Sequence, residues 1–247
     1  VTPEKYREVK DYFLNLASKT TDLLEGVGYD ACPNGHMAKN ILWCKSLTDW
    51  MKQYHNWINT PGEHSGDLSS IFFDYELVYG EQKIEDAISS TVFQNIENNT
   101  LFFDFLGNDA LRKNSPLTFF KNFNVEEEGP HKDKFDIKIK ALMPLIDGAR
   151  LFTLSFKVKG INNTYIRFKQ LAMVDPKHAE TYLECAEAFL VLSKIRTLEG
   201  IKNDNSGQFV NLEELSKIDR DKLKNALAPM RKLEDLIKDK FQLTHFS

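Results

Sequence analysis

Few side chains in this sequence stand where they could do chemistry, and the clearest are charged residues set among apolar ones. Asp147 and Arg150 lie inside Leu142-Met143-Pro144-Leu145-Ile146-Asp147-Gly148-Ala149-Arg150-Leu151-Phe152. Residues i and i+3 of a helix are neighbours, so the two can pair. Arg150 also offers a planar fork suited to phosphate or carboxylate. The pair therefore reads either as a salt bridge that fixes helix register or as a ligand contact. Asp74, inside Ile71-Phe72-Phe73-Asp74-Tyr75, poses the same choice, because a carboxylate among aromatics is costly unless paired.

Other candidates are weaker. Asp219 and Asp221 sit in the first turn of a helix, where i and i+2 diverge. They suit the positive end of the helix dipole better than a divalent cation. His55, Glu63 and His64 match no metal-site spacing and read as surface residues. Cys32, Cys44 and Cys185 contain no C-x-x-C pair and are too few for a disulfide framework, which points to idle thiols in a reducing cytoplasm. None of the 12 glycines precedes a serine, and there is no Walker loop, G-x-S-x-G, G-x-G-x-x-G or H-E-x-x-H.

The elements that must position these residues are mostly helices. Thr2, Pro3 and Glu4 open one that runs through Leu24 to the stop at Gly26 and Gly28. Residues 29–43, with the turn signal Asn34-Gly35, are expected to hold a strand or a hairpin. A second helix spans 47–58, with Ser46 and Asp49 as a capping box, and stops at Asn59-Thr60-Pro61-Gly62. Residues 68–79 fit a strand or a buried helix. Apolar spacing from Ile84 to Leu106 predicts one helix, broken by Ser115-Pro116. After the acidic loop Glu126-Glu127-Glu128-Gly129-Pro130, the alternation of Phe135, Ile137 and Ile139 suggests a strand. Helices are then expected over 142–156, from Asn163-Thr164 to Leu171, from Asp175-Pro176 to Gly200, and from Ser216 to Phe241 with a bend at Pro229.

Composition bounds the rest. With 42% hydrophobic and 28% charged residues, the 247-residue chain has enough apolar material for a folded core. The longest apolar run is far short of a membrane span, and the first thirty residues hold no signal-peptide core. Val1 reads as a processed terminus or a cut inside a longer protein. The formal net charge of −4 combines an acidic first half with a basic second half. The basic residues are spread through helical repeats, so a nucleic-acid backbone is not expected as a partner, whereas one small anion is compatible.

Three segments, in order and spacing, resemble one bacterial family. They are Gly28-Tyr29-Asp30-Ala31-Cys32-Pro33-Asn34-Gly35-His36-Met37-Ala38-Lys39-Asn40 with Trp43 and Trp50; Ser70-Ile71-Phe72-Phe73-Asp74-Tyr75 with Gly80; and Asp136-Ile137-Lys138 with Pro144-Leu145-Ile146-Asp147-Gly148-Ala149-Arg150, Asn163-Thr164, Arg167 and Leu223-Lys224-Asn225-Ala226. The family follows CBS and cyclic-nucleotide-binding domains in signalling proteins. Its nucleotidyltransferase activity is inferred, and it is similar to the protein-PII uridylyltransferases.

The resemblance implies a mainly α (α+β) chain. Residues 1–62 would be the C-terminal part of a polymerase-beta-like nucleotidyltransferase domain, and residues 63–247 a helical, antiparallel substrate-binding domain. Its Gly-Ser and Asp-x-Asp core, with the Mg2+ ions of the intact enzyme, would lie upstream, so no catalytic or metal residue is expected in this chain. Asn40, Asp74, Lys138, Asp147, Arg150 and Arg167 are implied to line the cleft. Lys138, Arg150 and Arg167 would face phosphate or an acidic surface, and Asp74 and Asp147 would orient them or a ribose hydroxyl. The expected partners are a nucleoside triphosphate, an unknown protein or small-molecule acceptor, and upstream sensory domains. The alternative is a non-catalytic regulatory or protein-interaction module. Asn34, Cys44 and Glu76 depart from the family's usual glycine, arginine and arginine, which removes two basic positions near the implied site.

Overall fold

The computed structural model describes residues 3–61, 72–112, 116 and 123–243. The chain is mainly helical with a small antiparallel sheet, as the helical periodicity implies. It divides into two compact units, Val1–Gln53 and Tyr54–Ser247.

The first unit contains α1 (Pro3–Gly26) and the start of α2 (Leu47–Asn59). α2 begins as its capping box dictates. The Ser46 hydroxyl accepts from the Asp49 backbone N–H at 3.2 Å and donates to the Asp49 carboxylate at 2.7 Å. The expected strand or hairpin between the helices is absent, and residues 29–46 form successive turns instead. The cause is local. Asn40 Nδ2 donates to the Gly35 carbonyl at 2.9 Å, while Asn40 Oδ1 accepts from the Leu42 N–H at 3.0 Å. Side-chain bonds of this kind compete with a strand ladder.

The second unit continues with α3 (Gln82–Asn95), α4 (Thr100–Leu111), β1 (Phe135–Asp136) and α5 (Met143–Ser155). These are followed by α6 (Thr164–Val174), α7 (Ala179–Asn203), β2 (Phe209–Val210), α8 (Lys217–Ala226) and α9 (Ala228–Phe241). The single helix expected over 84–106 is two. Asn98 takes a left-handed φ of 58°, and Asn99 caps α4 by accepting from the Phe102 N–H at 3.0 Å. The apolar spacing runs across this break because Val92, Ile96, Phe102 and Leu106 are all buried. The last helix is likewise two: Pro229 lies in the first turn of α9, where its missing N–H leaves no bond unmade, and it starts a helix instead of bending one. Residues 73–81 carry no regular structure, neither strand nor helix, and residues 68–71 lie outside the described residues.

The strand expected from Phe135, Ile137 and Ile139 shrinks to two residues. The Asp136 carboxylate accepts from the Ile139 N–H at 2.8 Å, which turns the chain, and from Gln208 Nε2 at 2.8 Å, which ties it to β2. Phe135 pairs with Val210 and Asp136 with Phe209. A π-helical turn, Lys138–Leu142, then leads directly into α5. α5 packs against α4, α6 and α9, and every residue from Asp147 to Leu154 is buried. A helix covered on all sides must bury whatever charges it carries. Its Phe152 ring meets Tyr182 edge-on at 5.4 Å and Phe241 at 5.9 Å. These contacts join α5, α7 and α9 in one aromatic core.

Candidate functional site

Four of the six residues implied by the sequence meet in the second unit. Asp147 and Arg150 sit one turn apart on α5, and Arg150 Nη1 donates to Asp147 Oδ1 at 3.0 Å. Arg150 Nη2 reaches Asp74 Oδ2 at 2.5 Å, and Arg167 Nη2, from α6, reaches Asp74 Oδ1 at 2.5 Å. Asp74 thus bridges two guanidinium groups with its two oxygens. Arg150 and Arg167 are buried at 7% and 3% exposure, whereas the Asp74 side chain keeps 25%.

Each arginine is fixed by its helix. Asn163 caps α6 by accepting from the Ile166 N–H at 3.0 Å, which sets the first turn from which Arg167 projects. Arg167 Nε donates to the Ile161 carbonyl at 2.6 Å, and its Nη2 also meets Asn162 Oδ1 at 3.3 Å. Asn162 Nδ2 in turn donates to the Tyr75 carbonyl at 3.0 Å. The loop before α6 and the irregular segment after Phe73 are therefore stitched together around Asp74. Phe73 anchors that segment in the core beside Phe102 and Tyr54.

Burial alone would raise the Asp74 pKa. The hydrogen bonds and charges of Arg150 and then Arg167 outweigh it and hold the carboxyl below the usual carboxylate value. A carboxylate depressed on folding contributes stability that is full above the unfolded pKa and is lost as pH falls through the folded one. Asp74→Asn should therefore lie below wild type in unfolding free energy at pH 6. The gap should close as pH falls below about 4, as read by urea unfolding across that range. A gap that is constant with pH would show that the charge of Asp74 contributes nothing.

The other two residues take no part in these contacts. Asn40 belongs to the first unit and staples its loop. Lys138 is half-buried in the π-helical turn and makes no hydrogen bond or ion pair with the four-residue cluster. The buried lysine of that turn is Lys140, whose ammonium meets Glu126 at 2.7 Å and the Asn124 carbonyl at 2.9 Å. In the sequence, the signal of Lys140 is its place between the apolar Ile139 and Ala141. Asn162 was missed, since it looks like ordinary loop chemistry next to the Asn163 cap.

Residues 100–241 match the family model described as "Putative nucleotidyltransferase substrate binding domain", and residues 1–64 match the one described as "Putative nucleotidyltransferase DUF294". The chain belongs to the family of that substrate-binding domain. Arg150, Asp147 and Arg167 fall within the substrate-binding match, while Asp74 lies between the two matched regions. No curated protein and no solved structure matches the chain.

The donor set does not suit the Mg2+ that a nucleotidyltransferase implies. Asp74 and Asp147 are each committed to guanidinium groups. Among the described residues, no group of three or more His, Cys, Asp or Glu side chains could hold a metal ion. Nor, among those residues, is any helix long and apolar enough to cross a membrane. What the arrangement can do is present two rigid cationic forks to one anion.

Proposed function

We propose that this chain is the substrate-facing part of a signalling nucleotidyltransferase. The intact protein would move a nucleotidyl group from a nucleoside triphosphate to a protein or small-molecule hydroxyl, using Mg2+ held outside these residues. The observation that carries the reading is the pair Arg150 and Arg167. They are buried, held on two helices of the substrate-binding region, and turned on a single carboxylate. Arginine is suited to phosphate because its planar donors match two oxygens at once. Asp147 would hold Arg150 in place. Lys138 and Asn40 join the proposal through the family resemblance alone. CBS and cyclic-nucleotide-binding domains in the intact protein, and kinship with the uridylyltransferases, belong to the same proposal.

The second reading is a non-catalytic interaction module. The near-complete burial of both arginines favours it, since a strut that only ties three segments together needs no access to ligand. Calorimetry separates the two. Each nucleoside triphosphate, with magnesium, is titrated into the wild-type chain and into Arg150→Lys, whose fold is checked by circular dichroism. Wild type should bind, and the variant should bind at least about tenfold more weakly, the 1.4 kcal/mol of one lost charge-assisted contact. Equal binding by both would remove Arg150 from the site. No binding by wild type would favour the interaction module.

A further inference from the structure

We infer that Asp74 stands in for the ligand's anion: its carboxylate occupies the fork that Arg150 and Arg167 offer to a phosphate group, and a ligand enters by displacing it. This rests on the reading of the arginine pair as the phosphate-facing part of the site, and adds a built-in competitor to it.

The geometry is that of a bound anion. One carboxylate takes a donor from Arg150 on Oδ2 and a donor from Arg167 on Oδ1, both at 2.5 Å. Two oxygens of a phosphate can accept in the same way, and a phosphate brings further acceptors and more charge. Arg167 has donor capacity that Asp74 leaves unused. Arg167 Nη1 is buried without a hydrogen-bond partner, and buried donors are normally satisfied. A group with more oxygens than a carboxylate would supply an acceptor for it.

The free space beside the pair is small. The cavity beside the pair, lined by Tyr75, Ser89, Arg150, Asn162 and Arg167 among others, is about 50 Å³. Because Arg150 and Arg167 already turn these donors on Asp74, a phosphate that uses them takes the place of the carboxylate.

The anchoring is unequal in the sense that displacement needs. The arginines ride on α5 and α6, within the packed core. Asp74 opens an irregular stretch whose Val78 and Tyr79 are almost fully exposed. Phe73 holds the upstream side, so what peels away is Asp74 and the residues after it. The ties to break include the two ion pairs, the Asn162 contacts with the Tyr75 carbonyl and with Glu76, the hydrogen bond between Tyr75 and Ser89, and the packing of the Tyr75 ring on Tyr54. With Asp74 withdrawn, Asp147 still balances Arg150, and the charge of Arg167 faces the ligand uncompensated.

The test uses inorganic pyrophosphate, without metal, titrated into the full chain and followed by calorimetry. Asp74→Asn removes the competing charge at nearly constant shape. It should bind pyrophosphate at least tenfold tighter than wild type, and the double variant Asp74→Asn/Arg167→Gln should lose that gain. Asp74→Glu, which keeps a carboxylate, should bind no tighter than wild type. A folded Asp74→Asn with wild-type affinity overturns the displacement. So does an Asp74→Asn chain that unfolds while Asp74→Glu folds, because the carboxylate is then a fixed strut. The underlying reading fails separately: if Asp74→Asn gains pyrophosphate but no nucleoside triphosphate, the fork binds anions and the nucleotide assignment falls.

Discussion

Arg167→Ala is expected to lower the unfolding free energy by about 3–5 kcal/mol, the range for breaking a buried ion pair by removing one partner. The loss has three sources that act together. Asp74 keeps only Arg150, so part of a largely buried carboxylate loses its compensation. The Ile161 carbonyl loses its 2.6 Å donor from Arg167 Nε, and Asn162 loses one of the contacts that position it. The stem of a side chain at 3% exposure also leaves a void between α6 and its neighbours. Arg167→Lys should recover only part of the loss, because one ammonium on a flexible stem cannot serve Asp74 and the Ile161 carbonyl as a guanidinium does. Urea unfolding midpoints check both. Lys232→Ala supplies the contrast: its pair with Glu184 lies at the surface, where solvent screening leaves such pairs little effect on stability. If Arg167→Ala behaves like Lys232→Ala, the cluster is not holding the unit together.

That comparison also shows what could be read from sequence. The Asp147–Arg150 pair was legible because its i, i+3 spacing and its apolar flanks lie in one continuous segment. The burial of α5 on all sides was legible for the same reason, since its apolar residues do not keep to one stripe. Asp74 was legible as a problem, a carboxylate that needed a partner, but not as a solution. Its partners stand 76 and 93 residues downstream, and no periodicity reports a contact at that range. Arg167 entered only through the family resemblance. Helix ends set by side-chain caps, Ser46, Asn163 and Ser216, were read well because capping is local. The breaks at Asn98 and Ala226–Ala228 were missed because the apolar spacing continues through them, and spacing was the signal in use. β2 was missed because a two-residue strand exists only by virtue of its partner.

Gly207→Ala should be the most damaging small substitution, though it lies far along the chain from the arginines. Gly207 has a φ of +63°, and a Cβ there would stand 1.9 Å from the Arg196 carbonyl oxygen and 2.7 Å from the Gly200 nitrogen. The left-handed conformation costs an alanine about 1–2 kcal/mol. Relieving a clash with backbone adds about 1–3 kcal/mol, since no flexible side chain can swing aside. A loss of roughly 2–5 kcal/mol is expected. Gly129→Ala is the control: its φ is +79° but nothing lies within 4 Å, so only the conformational part should appear. The consequence reaches the site through the chain itself. Gly207 folds the chain back on the last turns of α7 and delivers Gln208, whose carbonyl accepts from the Ile137 N–H at 3.0 Å and whose amide donates to Asp136. Those two bonds fix the start of the π-helical turn that feeds α5, and α5 carries Asp147 and Arg150. Hydrogen exchange should therefore quicken at the Ile137 and Ile139 amides in Gly207→Ala and stay slow in Gly129→Ala. Unchanged exchange at both amides, with stability lost, would mean that β2 does not brace the helix bearing the arginine.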